Sequence, residues 1–280
     1  MKALQKLIEE LQRDDFLYEP SNLRQRIEAL DRLDTFNLEV SPLQAKLEAA
    51  NLKVYEAIRR EILQRQGSTS LLKWVPQSGA NGPEYDYLDE LITGVLRFEE
   101  TADPIVLRTA EMVSYQPTPA RHIFDLIDRT ALNEDDVLVD LGSGLGHVPL
   151  VASICTRARS IGVELEPVYV DCARKSAETL NLKRVTFIQQ DARTANLTEG
   201  TVFYMYTPFT GTMLRAVLDS LEREGNRRDI RLCTFGPCTA TVAAENWLEF
   251  VEVPQADRIS IFRSCSPNDE RTTTNDEHLS

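Results

Sequence analysis

No apolar run in the chain approaches the ~20 residues that a membrane-spanning helix needs, and a membrane is not an expected partner. Cysteine is scarce and unpatterned. Cys155, Cys172, Cys233, Cys238 and Cys265 form no C-x-x-C pair and no metal-ligand spacing, and their number is odd. A disulfide scaffold is therefore excluded, no metal is expected, and a reducing, cytoplasmic setting is expected. Positive charge is also short: 31 Lys and Arg face 44 Asp and Glu, a net charge of −13. That balance speaks against a broad phosphate-binding surface, so nucleic acid is not an expected partner. Arg223, Arg227, Arg228 and Arg231 make a local basic cluster, but Glu222, Glu224 and Asp229 interleave with them, which reads as a solvated turn. No secretory leader is expected, because Met1 to Leu11 reads as an amphipathic helix carrying acids.

With 280 residues the chain can bury a large core. Its most informative segment runs Val137-Leu138-Val139-Asp140-Leu141-Gly142-Ser143-Gly144-Leu145-Gly146-His147. The apolar, β-branched start predicts a buried parallel strand. The alternating glycines predict a sharp turn that lets backbone N–H groups come close to a ligand. A helix from Gly146 to Cys155 then aims its positive end at that ligand. A dinucleotide fingerprint would place its third glycine at position 147, where this chain has His147. His147 itself is read as a surface residue at a helix start in preference to a base near the reacting group.

The stretch Asp140-Leu141-Gly142-Ser143-Gly144-Leu145-Gly146 resembles motif I of the class I S-adenosylmethionine (SAM) methyltransferases. Two further segments strengthen the resemblance. Arg159 to Glu164 and Val185 to Ala192 are each an apolar strand followed by an acid, Glu164 and Asp191. Glu164 can accept from vicinal ribose hydroxyls. Asp191 can accept from an adenine amino group while the backbone N–H at Ala192 reaches a ring nitrogen. The expected cofactor is S-adenosyl-L-methionine, bound by Asp140, Gly142, Ser143, Gly144, Gly146, Glu164, Asp191 and Ala192.

Downstream, Thr201 to Tyr206 and Ile230 to Phe235 read as two more strands around a helix from Thr212 to Leu221. Trp247 to Val253 and Arg258 to Ser264 read as an antiparallel hairpin. The expected fold is α/β: a doubly wound, mostly parallel seven-stranded sheet with a terminal antiparallel hairpin, preceded by an all-α region. The divisions are a helical domain or cap over residues 1–110, a methyltransferase domain over 111–264, and a disordered acidic tail over 265–280. Within the first, a helix is expected from Ser41 to a stop at Gly67, a mobile loop from Gln66 to Gly82, and a helix from near Pro83. Ahead of the first strand, Thr118 can cap a helix over Ala120 to Arg129, with Pro119 at its first position. Many class I enzymes lay such a segment over the methionine end of SAM, which adds Tyr115 and Thr118 to the expected cofactor contacts.

In this family the methyl acceptor lies at the end of the fourth strand. Here that loop reads Tyr206-Thr207-Pro208-Phe209. It loosely resembles the Asn/Asp-Pro-Pro-Tyr/Phe loop of amino-group methyltransferases, with Thr207 or Tyr206 in place of the amide or acid. These four residues are the expected catalytic set, and the acceptor is an unidentified small molecule or protein, with a lean to an amine. From Tyr115 to Glu164 the chain also resembles the non-SET histone-lysine methyltransferases. The acidic balance lacks their basic nucleosome-binding segment, so that kinship is limited to the cofactor half and no histone specificity is carried over. Two other functions stay open: a non-catalytic SAM-binding protein, and an NAD-linked oxidoreductase, which the glycine spacing disfavours.

Overall fold

The computed structural model describes residues 13–35, 41–75, 84–98, 103–107 and 109–265. The expected Met1–Leu11 helix and the tail beyond Cys265 lie outside them. The helical region contains α1 (Asp14–Tyr18), a 3₁₀ turn (Pro20–Asn22), α2 (Leu23–Thr35), α3 (Ser41–Leu63), α4 (Gly67–Leu72) and α5 (Tyr87–Leu96). α3 stops at Leu63, short of Gly67, because Arg65 takes a left-handed conformation (φ 63°). Gly67 then opens α4 inside the stretch expected to be a loop, and Leu71 is fully buried there. One buried leucine in a Ser-rich hexapeptide gives no periodic signal, which is why sequence patterning misses it. Residues 76–82 of that expected loop are outside the described set.

The sheet forms from β1 (Val137–Leu141), β2 (Arg159–Glu164), β3 (Val185–Gln189), β4 (Val202–Tyr206), β5 (Arg231–Phe235), β6 (Leu248–Phe250) and β7 (Ser260–Ser264). Their order is β3-β2-β1-β4-β5-β7-β6. The first five are parallel, whereas β7 runs antiparallel to both β5 and β6. All five residues of β1 are buried, as a strand covered on both faces must be. Burying side chains such as Leu138, Val139 and Leu141 contributes about 1.5–3 kcal/mol each. The chain leaves β1 toward β2 on one side and later returns to β4 on the other. Strand order therefore reverses between β1 and β4, which opens a crevice at their carboxyl ends.

Helices cover both faces. α6 (Ala120–Thr130), α7 (His147–Cys155) and α8 (Pro167–Thr179) lie on one, and α9 (Gly211–Gly225) and α10 (Cys238–Val242) on the other. The apolar cluster on the first face continues without a break into the helical region, joining Leu138 and Leu150 to Ile58, Leu88 and Ile92. A polar tie reinforces that junction, Ser176 Oγ donating to Leu96 O at 2.7 Å, and within the helical region Arg59 Nε donates to Val95 O at 3.0 Å. Both satisfy carbonyls that the end of α5 leaves unpaired.

The arginine cluster is structural in part, not a solvated turn throughout. Arg231 donates to Thr130 O and to Asp136, and Arg228 Nη2 donates to Leu197 O at 2.8 Å. Burial pushes the Asp136 carboxyl up, but hydrogen bonds from Thr201 and Arg231 hold it below its ordinary value.

Candidate active site

At the crevice between β1 and β4 lies a cavity of about 610 Å³. Tyr115, Thr118, Asp140, Gly142, Ser143, Glu164, Asp191, Ala192, Tyr206, Thr207, Pro208 and Phe209 all line it, so residues far apart in sequence meet in one chamber. Gly144 and Gly146 do not reach it. A Cβ on Gly144 would lie 2.0 Å from the Tyr115 ring, and one on Gly146 2.5 Å from the Phe187 ring. Their smoothness serves packing of the loop against aromatic rings, not direct approach of a ligand. Gly142 also packs closely, because its Cβ would sit 2.3 Å from Pro208 Cβ at a φ of +87°. The glycine turn and the Tyr206–Phe209 loop are thus in van der Waals contact through Gly142, where a side chain would meet Pro208.

Asp140 is the penultimate residue of the buried β1 and lines the cavity, with no hydrogen-bond partner among the described residues. Burial, then the neighbouring Glu164 charge, holds its carboxyl well above the usual range. Beside it the Ser143 hydroxyl is buried and unpartnered. Glu164 closes β2 differently. Its Oε2 accepts from Gly144 N at 2.8 Å, and its Oε1 from Leu165 N at 2.8 Å and Glu166 N at 2.9 Å. Three of roughly four lone-pair sites are taken, leaving one for a ligand hydroxyl. Asp191 is clasped by Arg193, with Nη2 to Oδ2 at 2.6 Å and Nε to Oδ1 at 3.1 Å, and that bonding holds its carboxyl low. It stays ionised, but Arg193 N also donates to Oδ1 at 2.9 Å and Nε to Oδ2 at 3.1 Å, so both oxygens are engaged and a ligand amino group would have to share them.

Tyr115 lies across the loop, its hydroxyl 3.2 Å from His147 Nδ1 and its ring 5.0 Å from that of Tyr169. His147 is not the surface residue the sequence suggests. It is 8 % exposed, stacks on Phe98 at 4.5 Å, and burial lowers its pKa to about 4, so it is neutral. Thr118 does not cap α6. Its hydroxyl pairs with the buried Tyr204 hydroxyl at 2.8 Å, and Pro119, which has no side-chain cap to offer, stands at the N-cap. The free N–H of Ala120 is taken instead by Asp89 Oδ1 at 2.7 Å, from α5.

The Tyr206–Phe209 loop is built around an uncommon backbone. Thr207, β-branched and preceding a proline, adopts φ 39°. Its hydroxyl donates to Phe235 O at 3.1 Å and accepts from Cys238 N at 3.0 Å, which holds the strained turn. That hydroxyl is committed inward and does not play the part of an Asn or Asp side chain. Tyr206 points its hydroxyl at Gln116 Oε1, 3.4 Å away. Over the other wall runs the segment before α6. Val106 N donates to Glu166 Oε2 at 2.8 Å, Val113 N donates to Pro208 O at 3.1 Å, and Met112 pairs with Phe209. Glu111 caps α9 through Thr212 N and Met213 N. Sequence reading missed this strap because its partners lie 60 to 102 residues away.

The strand order, the cavity at the β1/β4 reversal and the family comparison agree. Residues 110–204 match the family model described as "Histone methylation protein DOT1". This is the fold of a class I, SAM-dependent methyltransferase. A histone-lysine N-methyltransferase, H3 lysine-79 specific, from Cryptococcus neoformans var. neoformans serotype D is 50% identical over 56 residues. That stretch is 19% of this chain and only 9% of the relative. Among solved methyltransferase structures, an RNA methyltransferase from Salinibacter ruber, in complex with S-adenosyl-L-homocysteine, is similar with a TM-score of 0.45 and 24% identity. It covers 56% of this chain and 97% of that one. A precorrin-6y C5,15-methyltransferase from Geobacter metallireducens is similar with a TM-score of 0.42 and 18% identity, over 55% and 94%. The family match overturns the cytoplasmic expectation, since histone methylation concerns nuclear chromatin. Thiols stay reduced in the nucleus as in the cytosol, so cysteine usage never separated the two.

The lining of the cavity fits S-adenosyl-L-methionine on its own chemistry. A partnerless buried carboxylate suits the methionine ammonium, the remaining Glu164 lone pair suits a ribose hydroxyl, and the orphan Ser143 hydroxyl gains a partner.

Proposed function

We propose that the protein is a nuclear methyltransferase that modifies a lysine side chain of a histone. The observation that carries this reading is a single chamber lined both by Asp140, Ser143 and Glu164 and by the Tyr206–Phe209 loop. The DOT1 match over the cofactor half and the H3-specific relative supply the acceptor class. The acidic surface of this chain, at −13, suits a basic protein acceptor.

SAM, when bound, supplies an electrophilic methyl group on a sulfonium. The chain's own residues then have three tasks. Asp140, Ser143, Glu164 and Asp191 would hold the cofactor, with Tyr115 and Thr118 at its methionine end. The Tyr206–Phe209 loop, locked to the glycine turn through Gly142 and Pro208, would set the acceptor in line; good alignment supplies roughly 7–11 kcal/mol of barrier reduction. The strap through Val106 and Val113 would keep water out. A lysine amine entering this largely apolar chamber sheds hydration, which lowers its pKa and favours the neutral nucleophile. A strong general base is then unnecessary, in keeping with a Thr207 hydroxyl that is already spent.

The test is incubation of the protein with SAM and recombinant histone H3, followed by peptide mass spectrometry and assay of S-adenosylhomocysteine. Methylated lysine is the expected product. The engaged Thr207 favours one second reading, a SAM-binding protein without turnover. Tight SAM binding with no S-adenosylhomocysteine from histones, other proteins or small amines would establish that reading instead.

A further inference from the structure

The helical region comes close to the acceptor end of the cavity at one place. Residues 84–89, leading into α5, are fastened to residues 117–121 by several independent ties. Arg121 Nη2 donates to Glu84 O at 2.6 Å and pairs with Asp86 at 3.3 Å, and Asp89 accepts from Ala120 N at 2.7 Å. Between these ties Tyr85 donates its hydroxyl to Pro117 O at 2.8 Å, while 49% of the residue remains open to solvent. Pro117 and the adjacent Gln116 both line the cavity, and Gln116 Oε1 faces the Tyr206 hydroxyl at 3.4 Å. The Tyr206 ring is fixed in turn against Phe235, with centroids 4.6 Å apart. Gln116 and Tyr206 thus line the cavity and Tyr85 stands beside them through Pro117, just outside the lining itself, although 121 positions separate Tyr85 from Tyr206 in sequence.

We infer that Tyr85, carried in by the helical region, forms with Gln116 and Tyr206 the acceptor mouth of the cavity and selects a long aliphatic amine, the lysine side chain. This rests on the methyltransferase reading above and names the residues that would give it specificity. Phenol rings attract an ammonium through their π faces and also pack the methylene stem of lysine. The Gln116 amide oxygen can accept one amine N–H. None of the three is a carboxylate. An acid at the mouth would raise the pKa of the amine and keep it protonated, which is the wrong state for attack. An aromatic and amide mouth admits the cation without holding it charged. It also gives the helical region a task in the reaction, since the ring on one side of the entrance belongs to that region.

The experiment uses the full chain, SAM and recombinant histone H3, comparing wild type with Tyr85→Leu and Tyr85→Phe. Initial rates against H3 concentration give KM and kcat, and calorimetry gives SAM affinity. Tyr85→Leu is expected to raise the KM for H3 about 2- to 5-fold, the size of a partly exposed cation–π contact, with kcat and SAM affinity unchanged. Tyr85→Phe keeps the π face but loses the bond to Pro117 O, and is expected to recover most, not all, of the KM that Tyr85→Leu loses. The inference is overturned if Tyr85→Leu leaves KM unmoved, if Tyr85→Phe is as impaired as Tyr85→Leu, or if SAM affinity falls in step with KM. A wild-type protein that binds SAM yet leaves H3 unmodified overturns the histone reading and the lysine-selecting role together. An active wild type with an unaffected Tyr85→Leu variant overturns the mouth alone.

Discussion

A buried carboxylate without a partner is costly to an empty protein and useful to one that must hold a cation. Asp140 is in that position: burial and the Glu164 charge raise its pKa, so ionising it works against the fold. The sign follows directly. For an acid whose folded pKa lies above its unfolded value, folding stability falls as pH rises from the unfolded pKa toward the folded one. At neutral pH Asp140→Asn should therefore stabilise the free protein by about 1 kcal/mol, or roughly 2–4 °C in Tm, measured by calorimetric unfolding. The same substitution should weaken SAM binding by about 1.5–3 kcal/mol, because the amide cannot pair with the methionine ammonium. In the wild type, SAM affinity should climb with pH through the raised Asp140 pKa, and the variant should flatten that rise. A variant both less stable and unchanged in SAM affinity would remove Asp140 from the cofactor site. Glu164 behaves otherwise, since its three backbone donors make it part of the glycine turn before any ligand arrives.

Between elements, one acid joins the helical region to the catalytic half. Asp89 Oδ2 accepts from Asp86 N in a capping box at the start of α5, and its Oδ1 accepts from Ala120 N at the start of α6. One N-cap bond is worth about 0.5–2 kcal/mol, so Asp89→Ala should cost about 1–4 kcal/mol in urea unfolding, and Asp89→Asn, which keeps an acceptor, clearly less. Equal losses in the two variants would show that charge, not capping geometry, matters there. The double role also shows where sequence reading stops. The five parallel strands and the hairpin were legible because apolar runs such as Val137–Val139 carry their own signal, as did the acids at or just beyond the ends of β1, β2 and β3. The cap of α6 was not legible. Thr118 had the right residue type and spacing, but its hydroxyl is engaged by Tyr204 while the true partner lies in another element. α10 escaped for the same kind of reason: Cys238–Val242 is five residues long and is fixed by Thr207 and Thr234, not by any pattern of its own. The insertion of β7 between β5 and β6 depends likewise on pairing that alternation along a strand does not specify.

Taken as one charged body, the molecule has a field that favours the approach of polycations over polyanions. At −13 its field extends about a Debye length, roughly 30 Å at 0.01 M salt, 10 Å at 0.1 M and 3 Å at 1 M. Steering of this kind changes encounter rates by about 10- to 1000-fold and leaves short-range contacts inside a cavity nearly untouched. The KM for free histone H3 should therefore rise about tenfold or more between 0.01 and 1 M salt, while SAM affinity changes little. DNA around a histone reverses the sign, because phosphate charge opposes an acidic enzyme. At low salt the chain should then methylate free H3 faster than the same histone in nucleosomes, and added salt should narrow the gap by screening both effects. Parallel steady-state assays on the two substrates across a salt series measure this directly. A KM for free H3 that ignores salt would confine recognition to the mouth of the cavity. A preference for nucleosomes at low salt would mean that a local surface of this chain outweighs its net charge.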